Sequence, residues 1–301
     1  MTHVSARRGA LYVSVAATAW GTGGAAGSLL FDTGGLGPVG VSLWRYLLGA
    51  AFLLFLSRGL LSRGPLSRGP LPRGTTIAWN GRTVLVGAGM AVYQTAYFAA
   101  IAHSGVAVAT VVTMGATPIF TALGSRFLLR ERLGRLALCA LAAALAGLLL
   151  LTGEAALQAR SSAGLAFALV SAAGYAGVTL LSRQGRDDDP RATAVGGFVV
   201  GAVCLAPFAL AEGVVPEVSW SSVALLVYLG AVPTALAYGL FFRALTALRA
   251  TTVSIISLGE AVGAALLGVL LFGERLTPLA WSGCVLLLAA VAVLAARAET
   301  A

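Results

Sequence analysis

The chain has 301 residues, of which 58% are hydrophobic and only 10% charged, and that balance excludes an ordinary soluble domain and places the protein in lipid. The net charge of +9 and a pI near 10.3 would point to a nucleic-acid partner in a soluble protein. In a membrane protein the position of the positive charges decides their meaning instead.

Read by charge, Pro and Gly, the sequence predicts ten spans near residues 10–30, 38–57, 83–102, 105–125, 136–152, 163–182, 195–211, 221–242, 250–271 and 278–296. Several approach or exceed the roughly 20 residues that carry a helix across about 30 Å of hydrocarbon. Strands would need alternation and a closed barrel, whereas these runs are continuous, so the expected fold class is an all-α integral membrane protein. Arg7 and Arg8 before Ala17-Thr18-Ala19 have the outline of a cleavable signal. The apolar run continues to Phe31, however, and its removal would leave nine spans, so the first span is read as retained.

Within that span, "GTGGAAG" at 21–27 superficially matches a dinucleotide loop, but it follows no strand. Gly23 with Gly27, Gly197 with Gly201 and Gly259 with Gly263 are read as small faces for close helix packing. After the second span, residues 58–82 form an Arg/Gly/Pro-rich loop expected to be unstructured and cytoplasmic. It is a linker whose arginines could each contribute about 1 kcal/mol to contact with anionic lipid. "RDDDPR" at 186–191 joins the two halves and reads as a polar linker rather than a metal site. Cys139, Cys204 and Cys284 lie in apolar spans at spacings that fit no metal motif, so neither disulfides nor a cofactor are expected.

All 20 positive residues are arginine. With the N-terminus inside, 17 fall on the inner side, Arg160 and Arg275 on the outer side, and Arg45 within a span. This is a positive-inside pattern, which accounts for the basic pI by orientation and removes the argument for nucleic acid. It predicts a multi-pass protein of the plasma (cytoplasmic) membrane with both termini cytoplasmic.

The chain also repeats itself. Residues 116–134, "ATPIFTALGSRFLLRERLG", align without a gap to 259–277, "GEAVGAALLGVLLFGERLT", matching Ala122, Leu123, Leu128, Glu131, Arg132 and Leu133. Ala96-Tyr97 answers Ala237-Tyr238, Ala109-Thr110 answers Ala250-Thr251, and Trp20-Gly21 loosely answers Tyr175-Ala176. Five spans followed by five similar ones enter the membrane from opposite sides, so the halves are expected to be inverted, as in secondary transporters.

With its two Leu-x-x-Glu-Arg-Leu corners, each followed by a small-residue helix, the chain resembles the tandem EamA domains of the drug/metabolite transporter (DMT) superfamily. The resemblance covers roughly residues 10–296 and implies two EamA repeats, 10–152 and 163–297. Arg45 falls where the family commonly has an arginine. The family often has Glu-Pro or a similar pair within spans four and nine. Here Thr117-Pro118 keeps the proline and Glu260-Ala261 only the acid, which puts a proline hinge in span nine in doubt.

Glu260 is the only acid well inside a span, about 10 residues or roughly 15 Å from the cytoplasmic end. Ionised, it costs about 2.5 to 3.5 kcal/mol there, so it should face a cavity, hold a proton or have a partner. Arg45, about 10 Å in from the outside, is the candidate cation. The pair is either a proton or substrate site or a buried packing device. Trp20, Tyr93, Gln94, Tyr97, Thr117, Tyr175 and Tyr238 could line the cavity or simply fill core and interface, while Trp44, Trp79, Trp220 and Trp281 fit an interfacial belt. Glu131 and Glu274 sit beside Arg132 and Arg275, where a local ion pair or helix-end contact is expected.

The resemblance implies a secondary carrier, with export the common direction and amino acids, other metabolites or drug-like compounds as cargo. Expected partners are therefore a small molecule, membrane lipid, protons as a candidate coupling ion, and a second copy if the glycine faces pair. No ATP-binding motif is present. The alternatives are a lipid-modifying membrane enzyme, weakened by only two histidines (His3 and His103) and no paired acids in the spans, and a passive facilitator or channel.

Overall fold

The computed structural model describes residues 4–57, 80–131, 134–156, 161–272 and 275–297. Most of the 58–82 loop, together with Trp79, Arg132, Arg160 and Glu274, lies outside them. Among the described residues every regular element is helical: α1 (Ala6–Gly34), α2 (Pro38–Ser57), α3 (Gly81–Leu128), α4 (Arg135–Ala156), α5 (Ser162–Gln184), α6 (Pro190–Glu212), α7 (Trp220–Gly230), a π-helical segment (Ala231–Leu236), α8 (Ala237–Ala247), α9 (Ala250–Ser257), α10 (Gly259–Phe272) and α11 (Pro278–Arg297). Helix starts carry the expected chemistry. Ser5, Asn80, Ser161, Asp189 and Ser219 each accept a hydrogen bond from a backbone N–H of the first turn, and Pro190 begins α6 where its missing N–H costs nothing. Nine stretches among the described residues are long and apolar enough to span a membrane, and the 29-residue α1 supplies a further helix of spanning length.

The third and fourth spans form a single helical run of 48 residues, which as a straight rod would reach about 72 Å, far beyond a bilayer. It is not straight. Tyr97 hydrogen-bonds Thr110, 13 positions on, at 2.7 Å. The Ser171 hydroxyl of α5 donates to the carbonyl of Tyr93 on one arm, while Thr113 on the other donates to Ala168 of α5. The chain therefore reverses between Ile101 and Val108, and the arms Gly81–Ile101 and Val108–Leu128 cross as separate spans.

Packing follows the repeat. α4 lies on α11 and α2 on α6, each pairing an element with its counterpart in the other half. α1 packs on α8 and α10, as α5 packs on the two arms of α3. Exchanging the halves maps this packing pattern onto itself, as expected of two inverted five-helix repeats. At the α4–α11 crossing the backbones touch. A Cβ on Gly147 would lie 2.8 Å from the Gly283 carbonyl, and one on Gly283 would lie 2.5 Å from that of Gly147. Of the faces expected from sequence, Gly197 and Gly201 meet Met90 and Tyr46, Gly259 and Gly263 lie against Ala17 and Gly21, and Gly23 meets Pro233, whereas Gly27 has nothing within 4 Å.

The bundle has two unlike ends. At one, Glu212 accepts from the N–H groups of Val39 and Gly40, Trp44 donates to Val214, and Ser222 donates to Thr33. At the other, Arg82 pairs with Asp188 at 2.7 Å and Asp189 caps α6, so two acids of the polar linker have structural work and no metal is needed to explain them. Most described arginines lie at this second end. Gly283→Leu should lower thermal stability in detergent by about 1–3 kcal/mol through forced separation of α4 and α11. Gly177→Ala, facing open space, should leave the melting temperature unchanged or raised.

Candidate functional site

The ninth span is broken within its length. α9 ends at Ser257, Leu258 makes a tight turn with its N–H on the carbonyl of Ile255, and α10 restarts at Gly259. Glu260 thus sits in the first turn of a half-helix whose N-terminal dipole favours a negative charge. The missing proline put a proline hinge in doubt here, and the structure has a break without one, beside Gly259. Pro118 lies inside an unbroken stretch of α3, while the break falls at Leu258. A proline ring needs only a local adjustment where neighbouring helices support it, whereas "SLGEAVG" brings two helix-weakening glycines beside a buried acid.

Close backbone contact fixes the position of Glu260. A Cβ on Gly21 of α1 would fall 2.8 Å from the Glu260 carbonyl, so α1 touches the break directly. Facing it, Arg45 of α2 donates from Nε to Thr234 Oγ1 at 3.3 Å, and Thr234 donates to the carbonyl of Leu229 five positions back. This side-chain bond ties the π-helical segment to the end of α7, at a place where Pro233 supplies no N–H and the turn widens. Two different departures from α-helix, one in the eighth span and one in the ninth, therefore hold the anchor of the cation and the anion. The two charges act on one another electrostatically, and among the described residues Arg45 and Glu260 form no ion pair.

Aromatic residues from both halves fill the space between. The Trp20 ring lies 5.1 Å from Tyr238, 5.4 Å from Phe241 and 6.3 Å from Tyr175, all edge-on. Tyr93 packs 5.4 Å from Tyr175 and its hydroxyl hydrogen-bonds that of Tyr238. Trp20, Tyr93 and Tyr238 are buried, while Arg45, Tyr97, Tyr175 and Glu260 keep partial exposure, and Tyr97 and Tyr175 lie within the field of Glu260. The Trp20 indole N–H is buried without a hydrogen-bond acceptor. A buried orphan donor is rare in a folded protein and costs about 1–3 kcal/mol, so this N–H is an open position for an acceptor atom.

Not every residue singled out from sequence joins this cluster. Gln94 is buried on α3 beside Tyr93. Thr117 spends its hydroxyl on the carbonyl of Thr113, within its own helix. Trp220, 93% exposed, and Trp281 face outward as belt residues do, whereas Trp44 hydrogen-bonds Val214. Glu131 pairs at 3.2 Å with Arg183, 52 positions away, while its neighbour Arg132 lies outside the described residues. Thr234 was not singled out from sequence; its only signal was Pro233 within an otherwise uninterrupted apolar run. Among the described residues no group of three or more His, Cys, Asp or Glu could hold a metal.

The EamA-like transporter family matches residues 7–153 and again 162–296. The chain belongs to that family. It is 31% identical over 294 residues to the uncharacterized transporter YwfM of Bacillus subtilis (strain 168), covering 95% of this chain and 93% of that one. It is 32% identical over 217 residues to an uncharacterized transporter of Archaeoglobus fulgidus, covering 70% and 76%. A crystal structure at 22% identity superposes with a TM-score of 0.77 over 95% of this chain and 97% of that one, a likeness of fold. Family membership makes the protein a multi-pass membrane transporter and accounts for the inverted halves. It points away from the enzyme alternative.

Trp20→Phe removes the orphan donor but keeps the ring stack, so thermal unfolding should show stability unchanged or higher by up to about 1 kcal/mol. Thr234→Val should instead lower stability by about 1–2 kcal/mol, because Arg45 loses an acceptor in a buried setting.

Proposed function

We propose that this EamA-family protein is a secondary transporter that exports small metabolites such as amino acids, or drug-like compounds, by alternating access across the plasma membrane, with both termini cytoplasmic. The observation that carries the reading is the broken ninth span. It sets Glu260 at a half-helix N-terminus at mid-depth, opposite Arg45 and beside an aromatic cluster contributed by both repeats. Broken helices at a repeat interface are the way membrane carriers bring polar groups to a cargo without stranding backbone in lipid. The orphan Trp20 N–H offers a hydrogen bond, the tyrosine faces offer apolar surface, and the two charges offer complementary ends.

In this mechanism Glu260 either takes up a proton or contacts the cargo, and Arg45 sets its charge. Arg45 is held by a hydroxyl rather than by the acid, so the acid is free to exchange partners as the halves rock. The arginine distribution, 17 against 2, supports the orientation.

The test uses purified protein in liposomes with an internal pH dye, screened against pooled amino acids and cationic drugs. Cargo-dependent proton flux is expected in the wild type, falling at least about tenfold in Glu260→Gln. Cargo movement without proton flux, unchanged in Glu260→Gln, would make the protein a facilitator and Glu260 a packing residue.

A further inference from the structure

The exposure of the interior's polar residues differs between the two ends. Toward the end that carries Glu212 and Trp44, Thr22, Arg45, Tyr97, Thr110 and Tyr228 all keep partial exposure, although Ser42 and Ser222 are buried there. From the midplane toward the arginine-rich end, Thr121, Ser125, Ser182, Thr251, Ser254 and Ser257 are all buried. The arginine-rich end is thus closely packed, and one side chain there joins the two repeats, Arg183.

We propose that Arg183 is the gating residue of the arginine-rich end, a role that rests on the transporter reading above. Its side chain is only 10% exposed, against 18% for its partner Glu131. From the last turn of α5, Nε donates to Glu131 at the corner after α3 (3.2 Å), and a terminal nitrogen donates to the carbonyls of Leu245 (2.8 Å) and Thr246 (3.4 Å) at the C-terminus of α8. One planar guanidinium thus ties the corner of the first repeat to two helices of the second, using a carboxylate and the negative end of a helix dipole. Ser125 and Thr251 add a cross-repeat hydrogen bond between α3 and α9 at the same end, at 3.3 Å.

The seal is also built to open. Glu131 Oε2, Ser182 Oγ and Ser254 Oγ are buried without hydrogen-bond partners. Unpaired polar atoms weaken a closed packing, and water entering this end would satisfy them, offsetting the hydrogen bonds that opening breaks. At the opposite end Glu212, Trp44 and Ser222 tie the repeats by hydrogen bonds instead, with no ion pair there among the described residues.

The test replaces Cys139, Cys204 and Cys284 by Ala and introduces Ser254→Cys, a near-isosteric reporter inside the seal. A charged, membrane-impermeant thiol reagent is added to the arginine-rich side of sided vesicles. Adding Arg183→Gln should raise the labelling rate about tenfold or more, the population change that 1.4 kcal/mol produces, and Arg183→Lys should lie between, keeping the charge but losing the fork. A second reporter, Thr22→Cys, labelled from the opposite side, should slow in Arg183→Gln, because opening one end closes the other. Unchanged rates, or faster labelling at both ends, would overturn the proposal and leave Arg183 a packing residue. Should Arg183→Gln fail to fold, Glu131→Gln and Arg183→Lys make the same comparison. The readout needs no cargo, so absence of transport in liposomes would sink the transporter reading while the labelling contrast is judged separately.

Discussion

An ionisable side chain set inside an otherwise apolar helical run is the feature that the rest of this structure accommodates. Hydrocarbon offers no partner to a backbone N–H or carbonyl, so the chain must be helical nearly everywhere it meets lipid. Glu260 and Arg45 need more than helix, because charge in such a run is costly without polar surroundings. The structure meets the need with two local departures, the restart of the ninth span at Gly259 and the widened turn around Thr234. Each exposes polar groups to the interior rather than to lipid.

Duplication makes this possible. A five-span unit repeated upside down places the middles of corresponding helices side by side, so that α1, α3, α5 and α8 all bring aromatic rings to one place. The pairing of α2 with α6 and of α4 with α11 supplies the frame, and at the second of these pairs glycine lets the backbones meet.

The halves have diverged where chemistry is concerned. Thr117 and Glu260 are equivalent by alignment, yet one closes a hydrogen bond within its own helix and the other stands at a helix break. Glu131 and Glu274 are equivalent too. Glu131 reaches Arg183, while Glu274 lies outside the described residues. A symmetric scaffold thus carries an asymmetric charge pattern, with the acid at one helix break and the arginine clamp at one end.

The sequence by itself determined the architecture: spans long enough to cross a bilayer, an odd number per half, and arginines sorted to one side follow from composition and period alone. It also marked Glu260, Arg45 and the aromatic residues, because polar groups in apolar runs stand out without any knowledge of contacts. Only the tertiary structure decided which of them meet. The reversal inside α3, the service of Thr234 as anchor for Arg45 and the reach of Arg183 to Glu131 depend on neighbours 13, 189 and 52 positions away, and the break falls at Leu258 in preference to Pro118. Helix periodicity carries no information about such partners; they are fixed when the repeats pack and most buried polar atoms take a group able to satisfy them.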